Sequence, residues 1–209
     1  MATKNKNKVK FGLKNCHYVI ATLTEDGTVT FGKPVSIPGA VSLSLDAEGD
    51  NKPFYADDTV YYMVSNNNGY SGDLELALIP ESFLKDVMHE TEDTNGVFAE
   101  NKDVEPEHFA LLFEFSGDQR KIRHCMYYCS ATRPSVSGQT REDSTDVQTD
   151  KLSLTVSPLP SGLVKVKTGT NTTDSVYEAW YESVYEPPVS TSDKSSSSKS
   201  LTSFSTKEE

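Results

Sequence analysis

The chain has 209 residues, 35% of them hydrophobic, which suits one sizeable core rather than two. Its 31 acidic residues against 20 basic give a formal net charge of -11, a field that repels polyanions and disfavours nucleic-acid binding. No apolar run reaches the roughly 18 residues of a membrane span, and the basic start (Lys4, Lys6, Lys8) is not followed by the apolar stretch of a secretory signal, so the protein is expected to stay in the cytoplasm where it is made.

Residues 1–8 read as a flexible basic arm, and residues 9–189 as one domain dominated by strands. Tyr18 to Leu23 and Thr28 to Phe31 are β-rich runs around Asp26-Gly27, a strong hairpin signal. Val35 to Leu45 continues as strand, with Val41, Leu43 and Leu45 expected on one face and Ser42 and Ser44 on the other. Residues 46–72 read as an excursion from the core, opened by Asp46 to Asn51 and closed near Asn66-Asn67-Asn68-Gly69. Between them lie Phe54-Tyr55 and the strand-like run Val60-Tyr61-Tyr62-Met63-Val64. Such a stretch is a surface loop, an interface, or a strand that packs its aromatics on the protein's own core. Tyrosine offers large contact area and is common where proteins touch.

After a strand over Leu74 to Ile79, Pro80 opens a helix whose apolar residues 83, 84, 87 and 88 form one stripe, with His89 exposed at its end. A second hairpin joins Phe109 to Phe115 and Lys121 to Ser130. Its first arm is apolar at nearly every position, which predicts burial on both faces. A third is predicted from Leu152 to Val156 and Val164 to Lys167 about the turn Pro158 to Gly162, with one face in the core and one wet. Ser175 and Glu178 have the spacing of a capping box, and Val176, Tyr177, Trp180, Tyr181 and Val184 recur at helical intervals before Pro187-Pro188. That helix carries the only tryptophan and should dock on the sheet. The Ser-, Thr- and Lys-rich segment 190–209 holds too little apolar surface to repay ordering. It is expected to be a disordered tail whose deletion leaves folding intact.

The residues converge on no catalytic arrangement. There is no nucleophile-elbow, phosphate-loop or zinc-protease motif, and His17, His89, His108 and His124 are scattered. Asp57-Asp58 and Glu142-Asp143 sit in polar surroundings and read as solvated loop charges, because acid catalysis needs burial to raise a carboxyl pKa. Cys16, Cys125 and Cys129 are expected as buried thiols in a reducing compartment. His17 adjoins Cys16 and His124 adjoins Cys125, but Cys-x3-Cys is not a standard zinc spacing and neighbours along a strand face opposite ways. No enzyme activity, cofactor or metal is therefore expected. Asn171-Thr172-Thr173 matches a glycosylation sequon but reads as a polar turn. Arg120-Lys121-Arg123 is expected to pair with carboxylates across strands or between subunits.

Val9 to Asn15, Phe31 to Val41, Tyr70 to Ala77, Phe109 to Glu114 and the aromatic segment ending in Tyr185-Glu186-Pro187 together resemble, in order and over roughly residues 8–188, the major tail protein family of siphophages that infect Gram-positive bacteria. The resemblance implies a mainly β fold, a two-sheet β-sandwich or barrel of the tail-tube type with one or two short flanking helices. It implies a structural virion protein that polymerises as stacked hexameric rings into the tail tube, the conduit for DNA ejection. Partners would be further copies of itself and the tape-measure, tail-tip and tail-terminator proteins. DNA would pass through the lumen without specific binding, and no membrane would be involved. The protein would reside in the virion after assembly in the host cytoplasm. By the same resemblance the excursion is the contact between rings or between subunits, with Phe54, Tyr55, Asp57, Asp58, Tyr61 and Tyr62 as candidate intersubunit residues. Acidic charge facing the lumen would repel DNA, which carries one negative charge per about 1.7 Å of duplex, and let it slide. The rival reading is a virion or cell-surface β-sandwich that binds carbohydrate by stacking sugars on its tyrosines.

Overall fold

The computed structural model describes residues 6–136, 138, 140 and 147–188. The expectations for residues 1–5, for Glu142-Asp143 and for the tail 190–209 lie outside the described residues.

Strand β1 (Lys10–Leu23) turns through Asp26-Gly27 into β2 (Val29–Phe31), as the Asp-Gly signal predicts. Then follow β3 (Val35–Ile37), β4 (Ala40–Glu48), β5 (Asn51–Ala56), β6 (Thr59–Ser65) and β7 (Gly69–Leu76). Helix α1 (Glu81–Asp86) precedes the short β8 (Thr91–Glu92) and β9 (Phe98–Ala99). The chain continues through β10 (Phe109–Gly117), β11 (Ile122–Ala131), β12 (Asp150–Ser157) and β13 (Lys165–Lys167), then helix α2 (Asp174–Glu178) and a 3-10 turn over Ala179–Tyr181. Nine strands form one antiparallel sheet in the order β2-β1-β10-β11-β12-β7-β4. β3 lies beside β2 on the same edge of β1, and β13 beside β12 on the same edge of β11.

The fold is mainly β, and the sheet does not close into a barrel. It folds over one core, because Tyr18, Ile37, Phe109, Leu111 and Phe113 from one half meet Leu74, Leu76, Leu152, Leu154 and Val156 from the other. Helix α1 and the turn that follows it close that core with the predicted stripe: Phe83 on the helix and Val87 and Met88 just beyond it are buried, and the Phe83 ring sits edge-on to Tyr18 and Phe109 at 5.3 and 5.4 Å. A second cluster covers the opposite face of β1, β10 and β11, where Trp180 and Val184 pack over Val19, Ala110, Leu112 and Tyr127. Strand β10 therefore has core on both sides. Each of its fully buried Phe and Leu side chains contributes about 1.5–3 kcal/mol by burial.

Local irregularities change three expectations and set where the cysteines lie. The continuous strand over 35–45 is broken at Pro38-Gly39 into β3 and β4. A bulge between Ala40 and Ser42 then turns Val41 out to 53% exposure, while Leu43 and Leu45 still pack inward. The third hairpin is not one: β12 and β13 both pair with β11 and not with each other. The Pro158–Gly162 segment folds on itself (Leu159 N–H to Leu163 O, 2.8 Å; Gly162 N–H to Leu159 O, 2.7 Å), so the chain steps out and resumes in the same direction. The alternation over β12 holds nonetheless, with Leu152, Leu154 and Val156 buried and Lys151, Ser153 and Thr155 outside. The capping box at Ser175 and Glu178 is not formed. The helix starts two residues earlier, after Thr173, and the Ser175 hydroxyl reaches only the Thr173 hydroxyl at 3.4 Å. Finally, β10 advances two residues while β11 advances three between Phe109/Cys129 and Leu111/Met126. That slip puts Cys129 with Cys16 in the first core and Cys125 in the second, so the three thiols do not meet in one core.

Candidate assembly surface and basic cleft

β4 and β7 pair as far as Glu48 and Gly69, and beyond that point both arms leave the sheet together. Asn66 N–H donates to Asp50 O (3.1 Å) and Asn68 N–H to Glu48 O (2.9 Å), after which β5 and β6 pair only with each other, from Asn51/Ser65 to Ala56/Thr59. The excursion read from the sequence is thus a long hairpin, shorter at its base than expected because residues 46–48 and 69–72 still belong to the sheet. Its tip is a two-residue turn, Asp57-Asp58, with φ of 50° and 59°, the positive values of a type I′ turn. The exit from the sheet is fixed by Gly69 (φ 103°), where a Cβ would stand 1.8 Å from the Val156 carbonyl oxygen. At about 3.3 Å per residue the tip lies about 30 Å beyond Glu48 along the chain.

None of this hairpin enters either core. Phe54, Tyr55, Tyr61 and Tyr62 are 59–73% exposed, which overturns the reading that these aromatics pack on the protein's own core. Phe54 faces Tyr62 and Lys52 faces Val64 on one side of the ribbon, while Pro53 faces Met63 on the other. Tyr61 is the extra residue of a bulge between Phe54/Tyr62 and Tyr55/Val60. Apolar side chains therefore occupy both faces of a two-stranded ribbon, a form that is marginally stable alone and a surface that monomers rarely leave open. The structure places Phe54, Tyr55, Tyr61 and Tyr62 on the arms and Asp57 and Asp58 at the tip of one element. Val60, Met63 and Val64 belong to the same surface, each about half exposed. Their signal was the run 60–64 itself, apolar without alternation and so two-faced.

A second feature, which sequence reasoning missed, is a cleft of about 700 Å³ between the β10–β11 turn, the segment after β13, and α2. Lys6, Arg120, Lys121 and Lys167 line it, with Asp174 and Glu178. Lys121 ties its wall to Glu114, a fully buried carboxylate in β10. Glu114 accepts from Asn15 Nδ2 (2.8 Å), Lys121 Nζ (2.6 Å), Arg123 Nε (3.3 Å) and Tyr181 OH (3.5 Å). Burial, with the Glu114 carboxylate beside it, pushes the Tyr181 phenol well above its ordinary pKa. The Tyr177 ring lies 3.7 Å from the Arg120 guanidinium and 3.8 Å from that of Arg123, and Arg120 also pairs with Asp174 at 3.2 Å. Asn7 fastens the β10–β11 turn by accepting from the N–H groups of Gln119 (2.9 Å) and Arg120 (2.8 Å). The basic triplet pairs with carboxylates, as expected, but only Arg123 does so across strands: Lys121 reaches Glu114 from the turn and Arg120 pairs with Asp174 of α2. Among the described residues Lys6 and Lys167 have no ion-pair partner, and neither Asp57 nor Asp58 has one. The cleft escapes sequence reading because Lys6 and Lys167 are far apart in the chain and are brought together only by the sheet.

The four histidines do not converge on one another. His17 lies against Tyr181, His108 stacks on Tyr128, His124 stacks on Phe113, and His89 faces Glu107 at 3.5 Å. Among the described residues no three His, Cys, Asp or Glu side chains are grouped to hold a metal, and no helix is long and apolar enough to cross a membrane.

No family model matches the chain, and no curated protein matches it. Among solved structures the chain is similar to one described as the cryo-EM structure of the anti-feeding prophage cap, the AFP tube terminating cap. The identity is 12% and the TM-score 0.34, over 81% of this chain and 99% of that one. At that TM-score the likeness bears on neither assembly nor partners.

Proposed function

We propose that this chain is a structural virion protein of a phage tail, which polymerises as stacked hexameric rings into the tube through which DNA is ejected. The observation that carries the reading is the two-faced aromatic hairpin at 51–65, an apolar element with no core of its own. A surface of that kind is covered by another protein, and the order of family-like segments over residues 8–188 makes further copies of the chain the natural cover. The tape-measure, tail-tip and tail-terminator proteins are the other partners this role requires. The face of β4, β7 and β12 turned away from the core carries Asp46, Glu48, Asp73 and Glu75 against Lys151, and we assign it to the lumen wall. Its net negative charge suits a channel that must not hold DNA. Lysine at Asp46 and Asp73 is expected to slow DNA ejection from assembled virions, and unchanged ejection kinetics would remove the charge argument.

Negative-stain electron microscopy of the purified protein, alone and with tail-tip complexes, tests the function. Rings, or tubes with a regular axial repeat and a central channel, are expected. Particles that stay monomeric under both conditions would replace this reading with the carbohydrate-binding one, in which the exposed tyrosines stack on sugars, and glycan binding would then be measured.

A further inference from the structure

We infer that the basic cleft is the socket for the hairpin tip of a second copy, with Asp57 and Asp58 of one chain seated between Lys6 and Lys167 of its neighbour. The inference rests on the self-assembly reading above and names the contact that assembly would use.

In a chain of net charge -11, the cleft gathers four cations and two carboxylates, and one of those carboxylates, Asp174, is already bonded to Arg120. An acidic partner is therefore favoured there over the rest of the surface. Among the described residues, two adjacent carboxylates without ion-pair partners stand at the end of a hairpin that projects about 30 Å from the sheet. Each side has charge the other needs, and the chain's own tip does not line its own cleft.

The strand directions make the match possible between neighbours. β7 runs parallel to β11, because both are antiparallel to β12, and it begins level with Tyr128 and Ser157. The hairpin precedes β7, so it points toward the Ile122 end of β11, where the cleft opens. Tip and socket thus lie at the same end of the sheet. That is the geometry of copies standing side by side, in which one chain's tip reaches across to the next chain's cleft. The contact joins two different patches, so it repeats from copy to copy and closes into a ring where the rotation between neighbours brings the last copy back to the first. With the tip seated, the aromatic arms lie along the neighbour's flank and their apolar faces leave water.

The test uses the full-length chain in sedimentation velocity and negative stain. Asp57→Lys/Asp58→Lys and Lys6→Glu/Lys167→Glu are each expected to raise the protein concentration needed for assembly by at least about tenfold, because each sets like charges together. Mixing the two variants is expected to restore assembly, since every tip then finds a socket of opposite sign. Carbodiimide coupling of mixed labelled and unlabelled wild-type chains gives a readout independent of any variant, with amide links expected between Asp57 or Asp58 of one copy and Lys6 or Lys167 of another. Wild-type assembly with no rescue in the mixture, or with no such links, overturns the socket and leaves the tail-tube reading standing. Failure of the wild-type chain to assemble at all overturns both.

Discussion

Replacing Glu114 with glutamine removes the charge on which Asn15, Lys121, Arg123 and Tyr181 converge, and the structure fixes how large the effect should be. Lys121 is 47% exposed along its side chain, so its pair with Glu114 is worth no more than the roughly 0–1 kcal/mol of a surface ion pair. Arg123 is 15% exposed and Glu114 fully buried, so their pair belongs to the buried class, where removing one partner costs about 3–5 kcal/mol. The Tyr177 ring against Arg123 offsets part of the loss by keeping the guanidinium in a favourable site. A destabilisation of about 3 kcal/mol is therefore expected, equivalent to a fall in Tm of about 6–12 °C for a domain of this size. Trp180, the only tryptophan, is buried in the cluster beneath α2, so urea unfolding followed by its fluorescence reads the event directly. Arg123→Met combined with Glu114→Gln should recover part of the loss, with a coupling energy of about 2 kcal/mol in a double-mutant cycle. A Glu114→Gln chain within about 0.5 kcal/mol of wild type would refute the reasoning.

Two further predictions follow from single sites. Burial, reinforced by Lys167, Lys10 and Lys165, lowers the His124 pKa from 6.5 to about 4. The unfolded chain takes up that proton as pH falls through 6.5 and the folded chain does not until about 4, so stability should fall across this window. The expected loss is about 1–2 kcal/mol after discounting for partial solvent contact, and His124→Phe should flatten the urea midpoint between about pH 7 and pH 4.5. Gly69→Ala is expected to cost about 2–3 kcal/mol in urea unfolding, because its Cβ would stand 1.8 Å from the Val156 carbonyl in a backbone conformation that alanine rarely adopts. A Gly69→Ala chain as stable as wild type would show that the hairpin's exit is not held as described.

Patterns that repeat along the chain were legible. The unbroken apolar run of β10 announced burial on both faces, Asp26-Gly27 announced the first hairpin, and the stripe at 83, 84, 87 and 88 announced how the α1 segment docks. Features set by register were not. The bulge that exposes Val41, the slip that puts Cys125 and Cys129 on opposite faces, and the side step that keeps β13 off β12 each depend on a partner strand distant in sequence. The candidate site divides in the same way. The aromatic hairpin is contiguous in the chain, so its residues could be named from the run 54–62. The cleft is assembled from residues 6, 120, 121, 167 and 174, and no local pattern joins them.

The most direct test of the account is to cut the hairpin away. Joining Glu48 to Gly69 through a two-residue turn in place of residues 49–68 removes every exposed aromatic of the arm and both tip carboxylates while leaving the two cores untouched. Sedimentation velocity and negative stain should then show a folded monomer, with Trp180 fluorescence like that of wild type, under conditions where the full chain forms rings or tubes. Rings or tubes built by the shortened chain would contradict the claim that this hairpin is the contact between copies.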